Sequence, residues 1–462
     1  MSPLPDQPIS PLDGRYRSAV RELGEHLSEA GLNRARVHVE VEWLIYLTDR
    51  HLFGSHSLNS EQARSLRALV RDFGQADIDD LAAFEATTRH DVKAVEYYVR
   101  SHLVTLGLTD VVELTHFACT SEDINNLSYA LTIRAAMNDV WLPRIQAVTD
   151  ALYSRAVTHR ADAMLAHTHG QPATPTTVGK EFAVFVGRLR RIINKIIATE
   201  YLGKFSGATG TFAAHIAADP TQDWAAISRE FVTSLGLDWN PLTTQIEPHD
   251  WQAELYQRVS HTNRVLHNLC TDIWTYISMG YFTQIPQAGT TGSSTMPHKI
   301  NPIRFENAEA NLELSCALLD SLAATLVTSR LQRDLTDSTT QRNIGVAIGH
   351  SVLALDNILR GLDEIAVNPV KLAEDLDSNW EVLGEAIQTV VRAEVTAGRS
   401  SIADPYAMLK ELTRGRRVGQ AELIEFVNAL DIGDEAKARL VALTPAGYAG
   451  IASNLVEYAA AP

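Results

Sequence analysis

Five stretches of this chain repeat apolar residues at steps of three and four for much longer than the ~11–12 residues of an average globular helix. The clearest is Phe182, Phe185, Leu189, Ile192, Ile193, Ile196 and Ile197, with Arg188, Arg190, Arg191 and Lys195 between them. Similar stripes run from Ile124 to Val157, Trp251 to Phe282, Ile303 to Val327 and Ile344 to Leu362. Such spacing lines one face of an α-helix, and faces this long are most readily buried against other long helices. The pattern predicts an all-α fold of three domains: an N-terminal helical domain over 1–118, a central bundle of five long helices over 119–365, and a C-terminal helical domain over 366–462. Thr174 followed by Pro175 fits a helix N-cap with proline at the first helical position, and Thr120, Ser121, Glu122 and Asp123 precede the helix from Ile124. Short extended pieces are expected near 204–212 and 242–248.

Composition narrows the class. A chain of 462 residues, 45% of them hydrophobic, has ample core for a folded protein of this size. The formal net charge of -16 repels nucleic acid and anionic membranes, so partners of those kinds are not expected. No uninterrupted apolar run of membrane-spanning length occurs, and the first ten residues lack the basic-then-apolar order of a secretory signal, so a cytoplasmic protein is expected. Cys119, Cys270 and Cys316 stand far apart, and His167 and His169 lack the i, i+4 spacing of a helical zinc site, so neither disulfides nor a metal site are expected. Walker, GxGxxG and GxSxG motifs are missing, and no cofactor is expected.

Polar motifs gather between the stripes. Residues 292–302, GSSTMPHKINP, place Ser293, Ser294, Lys299 and Asn301 in a loop whose amides and ammonium suit an anion. His169 sits on a glycine-containing turn in HTHGQP, where an imidazole with its ordinary pKa near neutrality suits proton transfer. His90, within Arg89-His90-Asp91-Val92-Lys93, is a second candidate. Arg330, Arg333 and Arg342, interleaved with hydroxyls, suit a phosphate or carboxylate, and DGRY at 13–16 offers an arginine and an aromatic beside a turn. The basic cluster Arg414, Arg416 and Arg417 reads as a solvated helix end.

The loop GSSTMPHKINP resembles the signature of the fumarase/aspartase superfamily, whose members eliminate fumarate or a related product. Within it, DGRY (13–16), HDVKAVEY (90–97), HFACTSEDINN (116–126), THGQPATP (168–175), TTQIEPHD (243–250) and QRDLTDS (332–338) resemble the adenylosuccinate lyase family, in one order and over nearly the whole chain. Arg89 departs from that pattern, which carries a smaller polar residue before the histidine, so the contact its side chain makes is open.

The resemblance implies cleavage of a C–N bond in small-molecule purine-pathway substrates: adenylosuccinate, giving AMP and fumarate, and its succinylated imidazole carboxamide ribotide counterpart. It implies Ser293 as general base and His169 as general acid, with His90 and Lys299 assisting. Substrate contacts carried over are Arg15, Tyr16, Arg89, His90, Asp91, Thr120, Ser121, Gln245, Asn301, Asn307, Arg333, Ser338, Thr339, Thr340, Gln341 and Arg342. It further implies a homotetramer whose sites are shared between subunits. Two other readings stand beside it: another fumarate-releasing lyase such as argininosuccinate lyase, which would share the loop but not SEDINN and QRDLTDS, and a catalytically inactive helical scaffold.

Overall fold

All five apolar stripes are helical in the computed structural model, which describes residues 7–286, 296, 299–413 and 418–460. The structure is 66% helical and 5% strand. The stripe from Phe182 lies on Val178–Ile197, with Phe182, Phe185, Val186, Leu189, Ile192, Ile193 and Ile196 buried. The others form Asp250–Ser278, Ile303–Leu326 and Ile344–Asp363. The stripe from Ile124 covers Ser121–Ala136 and Leu142–Thr158, joined through a π-helical turn over Met137–Trp141. The helix Asp250–Ser278, of 29 residues, extends for ~44 Å at the usual rise per residue. No helix among the described residues is long and apolar enough to cross a membrane.

The chain divides into two compact units, residues 1–145, 192–266 and 308–356 in the first, and 146–191, 267–307 and 357–462 in the second. In the first unit the long helices are tied by a buried polar chain. Trp141 Nε1 donates to Ser351 Oγ at 2.9 Å, Ser351 Oγ to Asn263 Oδ1 at 2.8 Å, Asn263 Nδ2 to Ser315 Oγ at 3.0 Å, and Ser315 Oγ to the Ala347 carbonyl at 2.7 Å. Every donor in that chain has an acceptor, which is what burial of hydroxyls and amides demands. Nearby in the same unit, Trp43, Phe205 and Phe231 meet with ring centroids 4.5 to 4.9 Å apart, and Trp43 Nε1 donates to the Phe117 carbonyl at 3.1 Å. That bond anchors the loop leading to Thr120.

The second unit contains an antiparallel hairpin of Ala163–Thr168 and Gln171–Thr177. It corrects the expected helix start at Thr174 and Pro175: both residues lie in the second strand, and the helix begins at Val178. The segment PATPTT carries β-branched threonines, and a two-stranded hairpin tolerates proline because each strand has an unpaired edge. The expected extended pieces are displaced as well. Two-residue strands form at Leu202–Gly203 and Asp238–Trp239, a few residues before 204–212 and 242–248, and pair in parallel. A separate core in this unit gathers Trp380, Leu383, Ile387, Val391, Leu423 and Val427.

Candidate active site

The entrance to the helix Ser121–Ala136 is fixed by a buried ion pair. Thr120 is its N-cap, and Asp123 accepts the Thr120 amide at 2.8 Å, closing a capping box. Asp123 also accepts the amides of Ser206 (2.8 Å) and Gly207 (3.1 Å) and meets Lys204 Nζ at 2.8 Å, with both charged side chains fully buried. Breaking such a pair by removing one partner leaves an uncompensated charge, at a cost of about 3–5 kcal/mol. On the approach to this entrance, His116 and Ala118 adopt φ of 59° and 57°, the left-handed region that L-residues disfavour. Glu40, fully buried, holds His116 through its backbone amide at 3.0 Å and Nδ1 at 2.6 Å.

Beside that entrance the first unit carries an open-sided cavity of about 510 Å³. Of the residues expected at a substrate site, Arg89, His90, Asp91, Thr120, Ser121, Gln245, Arg333, Ser338 and Arg342 line it. They come from segments up to about 250 residues apart that the helices bring together. His90 is the N-cap of Asp91–Thr105, its Nδ1 accepting the Lys93 amide at 3.3 Å. In the neutral ring the proton then rests on Nε2, which lies 3.4 Å from Ser121 Oγ.

The cavity's arginines are mostly paired. Arg36, 2% exposed, meets Asp91 at 2.8 Å and donates to Asn125 Oδ1 at 2.9 Å. Arg333 meets Glu122 at 2.7 Å and donates to Ser338 Oγ at 3.1 Å, and Arg342 meets Glu29 at 2.8 Å and Asp91 at 3.5 Å. Burial by itself would raise the Asp91 pKa, but the Arg36 guanidinium beside it, with the Val92 amide and His90, holds the carboxyl below its ordinary value. Burial pushes the Tyr129 phenol in the other direction, up to about 12. Arg89 has no ion pair among the described residues; it ends the helix Gln75–Thr88 with φ 51° and opens onto the cavity.

Some expected residues lie elsewhere in this unit. Arg15 stacks over the Tyr16 ring at 5.9 Å, and neither lines the cavity. Thr339 and Thr340 bond back to the carbonyls of Leu335 and Thr336 on the short helix Thr336–Gln341. Gln341 turns inward, its Nε2 3.3 Å from His249 Nε2. Sequence reasoning missed Arg36, Glu85, Glu122, Asn125, Tyr129 and Leu335 as lining residues. A charged Arg36 among the apolar residues of Glu29–Asp49, a helix buried on most sides, was the available signal, since a buried guanidinium requires a partner.

His169, Lys299, Asn301 and Asn307 belong to the second unit. His169 and Gly170, at φ 53° and 73°, form the two-residue turn of the hairpin, the geometry of a type I′ connection. The His169 side chain is exposed at the tip. Lys299 and Asn301 are exposed, the Lys299 amide donating to the Met296 carbonyl at 2.9 Å, and Asn307 is half-buried on Ile303–Leu326. Ser293 and Ser294 lie outside the described residues, as do Arg414, Arg416 and Arg417.

The chain shares its fold with solved structures of a fumarate lyase from Mesorhizobium sp. BNC1 (TM-score 0.73, 20% identity, 95% of this chain and 97% of that one). It is likewise similar to a 3-carboxy-cis,cis-muconate lactonizing enzyme from Pseudomonas putida (TM-score 0.72, 20% identity, 95% and 96%). Residues 14–315 match the family model described as Lyase, so fold and family match together define a lyase of the fumarase/aspartase superfamily. Residues 329–449 match the model described as Adenylosuccinate lyase C-terminal. Adenylosuccinate lyases of Escherichia coli K12 and Haemophilus influenzae are each 47% identical over 97% of this chain and 98% of their own length. The chain belongs to the adenylosuccinate lyase family.

Proposed function

We propose that the chain cleaves the C–N bond of adenylosuccinate, releasing AMP and fumarate, and performs the same elimination on succinylaminoimidazole carboxamide ribotide, giving AICAR. The observation that carries this reading is the 47% identity to adenylosuccinate lyases over 97% of the chain. The cavity supports it: a substrate bearing a phosphate and two carboxylates needs concentrated cationic groups in a chain of net charge -16, and Arg36, Arg89, Arg333 and Arg342 supply them in one place.

In the elimination a base removes the proton from the carbon beside a carboxylate while an acid protonates the departing nitrogen, and the C–N electron pair leaves with that nitrogen. Ser293 is the base and His169 the acid. A serine hydroxyl is a weak acid, so its alkoxide requires nearby donors, and the loop amides with Lys299 provide them. Lys299 and Asn301 hold the carboxylate whose charge grows in the transition state. Thr120 and Ser121 receive succinyl oxygens, with His90 assisting from its cap position. Arg333, Ser338, Arg342, Arg89, Asp91 and Gln245 bind the nucleotide, with Arg15, Tyr16, Asn307, Thr339, Thr340 and Gln341 as further contacts.

The working assembly is a homotetramer in the cytoplasm with sites shared between subunits, and the chain of each subunit is organised as three domains, 1–118, 119–365 and 366–462. Fumarate release measured with adenylosuccinate and, separately, with argininosuccinate tests the substrate. Release from the first alone is expected; release from the second alone would overturn the reading, and release from neither would favour the inactive scaffold.

A further inference from the structure

Arg333 and Ser338 reach the cavity, yet the group that steadies both lies behind them and lines nothing. Asp337, largely buried, receives the Ser338 amide on Oδ1 at 2.6 Å, with Ser338 Oγ at 3.3 Å and Arg333 4.0 Å from the same oxygen. Its Oδ2 faces His249 Nε2 at 3.4 Å. His249 is 1% exposed and sits at φ 65°, a conformation an L-residue holds only when its surroundings compel it. The surroundings do so: Glu247 Oε2 receives the His249 amide at 2.9 Å, and Asn240 Nδ2 in turn donates to Glu247 Oε1 at 2.9 Å. The side-chain amide nitrogens of Gln252 and Gln341 lie 3.4 and 3.5 Å from His249 Nδ1. Gln341 Nε2 lies nearer still to His249 Nε2, at 3.3 Å, so the carboxylate decides the tautomer: Asp337 can only accept, which puts the ring proton on Nε2 and leaves Nδ1 to accept from Gln252.

We infer that His249 is a positioning residue for substrate binding: it fixes the Asp337 carboxylate, which orients Ser338 and Arg333 toward the cavity. The inference rests on the reading of that cavity as the substrate site. His249 touches no substrate in this arrangement, so it governs how well the anionic part of the substrate is held, and leaves the proton-transfer groups alone. The backbone strain at φ 65° is the mark of a side chain whose exact direction is required.

The test is the KM and kcat for adenylosuccinate of the unsubstituted chain and of His249→Gln, His249→Leu and Asp337→Asn, with thermal unfolding of each. Leucine roughly keeps the ring's volume without a donor, and glutamine keeps the donor. His249→Leu is expected to raise KM about tenfold while kcat stays within about threefold, because a bond to a charged group that fixes binding is lost and no reacting group moves. His249→Gln should recover most of the affinity, and His249→Leu combined with Asp337→Asn should be no worse than the weaker single variant, since both act through one contact. A role in packing alone would lower the active fraction, hence apparent kcat, at unchanged KM. An unchanged KM in folded His249→Leu, or equal KM in the leucine and glutamine variants, overturns the inference. If His249→Leu fails to fold, Asp337→Asn must raise KM and His249→Gln must not, or the inference falls. No turnover by the unsubstituted chain overturns the underlying reading and takes the inference with it.

Discussion

The cavity wall of the first unit and the hairpin tip of the second hold their polar side chains on different plans. In the wall, most charged groups are held by more than one partner: Arg36 has Asp91 and Asn125, Arg333 has Glu122 and Ser338, and the helix entrance beneath Thr120 rests on the buried Asp123 and Lys204 pair. At the tip, His169 stands exposed on a turn of two residues, and Lys299 is exposed beside its own turn. Recognition groups are thus built into packed structure, while His169 and Lys299 stand on exposed turns. In the proposed homotetramer, a second copy of the chain completes the site around those exposed groups.

That contrast can be broken most severely at the chemistry. Ser293→Ala is expected to lower turnover by about 10⁴-fold with the unfolding transition intact, the upper end of what a positioned acid or base contributes. His169→Ala should lose about 10²-fold to 10³-fold, again without loss of stability, because the side chain buries nothing. Mixing the two inactive proteins under subunit exchange should restore activity; proven exchange with no recovery would show that one subunit supplies both groups. Near-normal turnover of Ser293→Ala would remove that serine as the base.

Substitution in the wall should look different. Arg333→Ala strips a partner from Glu122, 3% exposed, and a contact from substrate, so a KM increase of about 10-fold to 100-fold is expected together with a lower unfolding midpoint. A KM change without any stability change would mean that the wall is less over-determined than its contacts suggest.

Two smaller effects separate the supports themselves. Burial tends to lower the His116 pKa, but the Glu40 carboxylate outweighs it, so the folded-state value lies above the ordinary imidazole value of 6.5. This pairing therefore contributes stability in full below pH 6.5, and the contribution declines as pH rises through the folded-state pKa, by at most about 1.4 kcal/mol per pH unit. Chemical denaturation of the parent and of His116→Gln from pH 6 to 9 should show their difference shrinking with pH; a constant difference would leave the ion pair without a role. Gly170→Ala, at φ 73°, should destabilise by about 1 kcal/mol and leave KM unchanged, read by thermal unfolding and steady-state kinetics.

The long helices were legible because an apolar stripe is a local signal that survives any arrangement of the rest. The hairpin was not: Thr174 and Pro175 match a helix start as well as an edge strand, and only pairing with Ala163–Thr168 decides between them. At the site, His90, Asp91, Thr120, Ser121, Gln245 and Arg333 could be named from motifs, but their convergence on one cavity could not. Arg36 was hard to place for a related reason: a charge among apolar residues signals that a partner exists, but that partner, Asp91, lies 55 residues away. His249 was hidden in the same way, its meaning residing in Asp337, 88 residues on.

The pairing of Arg36, Arg333 and Arg342 with acidic neighbours sets the terms on which an anionic ligand engages them. An anion that takes Arg36, Arg333 or Arg342 must draw the guanidinium from Asp91, Glu122 or Glu29 and leave that carboxylate stranded, whereas Arg89, with no ion pair among the described residues, can be engaged without that cost. A ligand with several negative groups set at the right separations repays each displaced carboxylate at once. The internal acids therefore act as place-holders for the paired guanidiniums, and a ligand with several suitably spaced negative groups takes their place together.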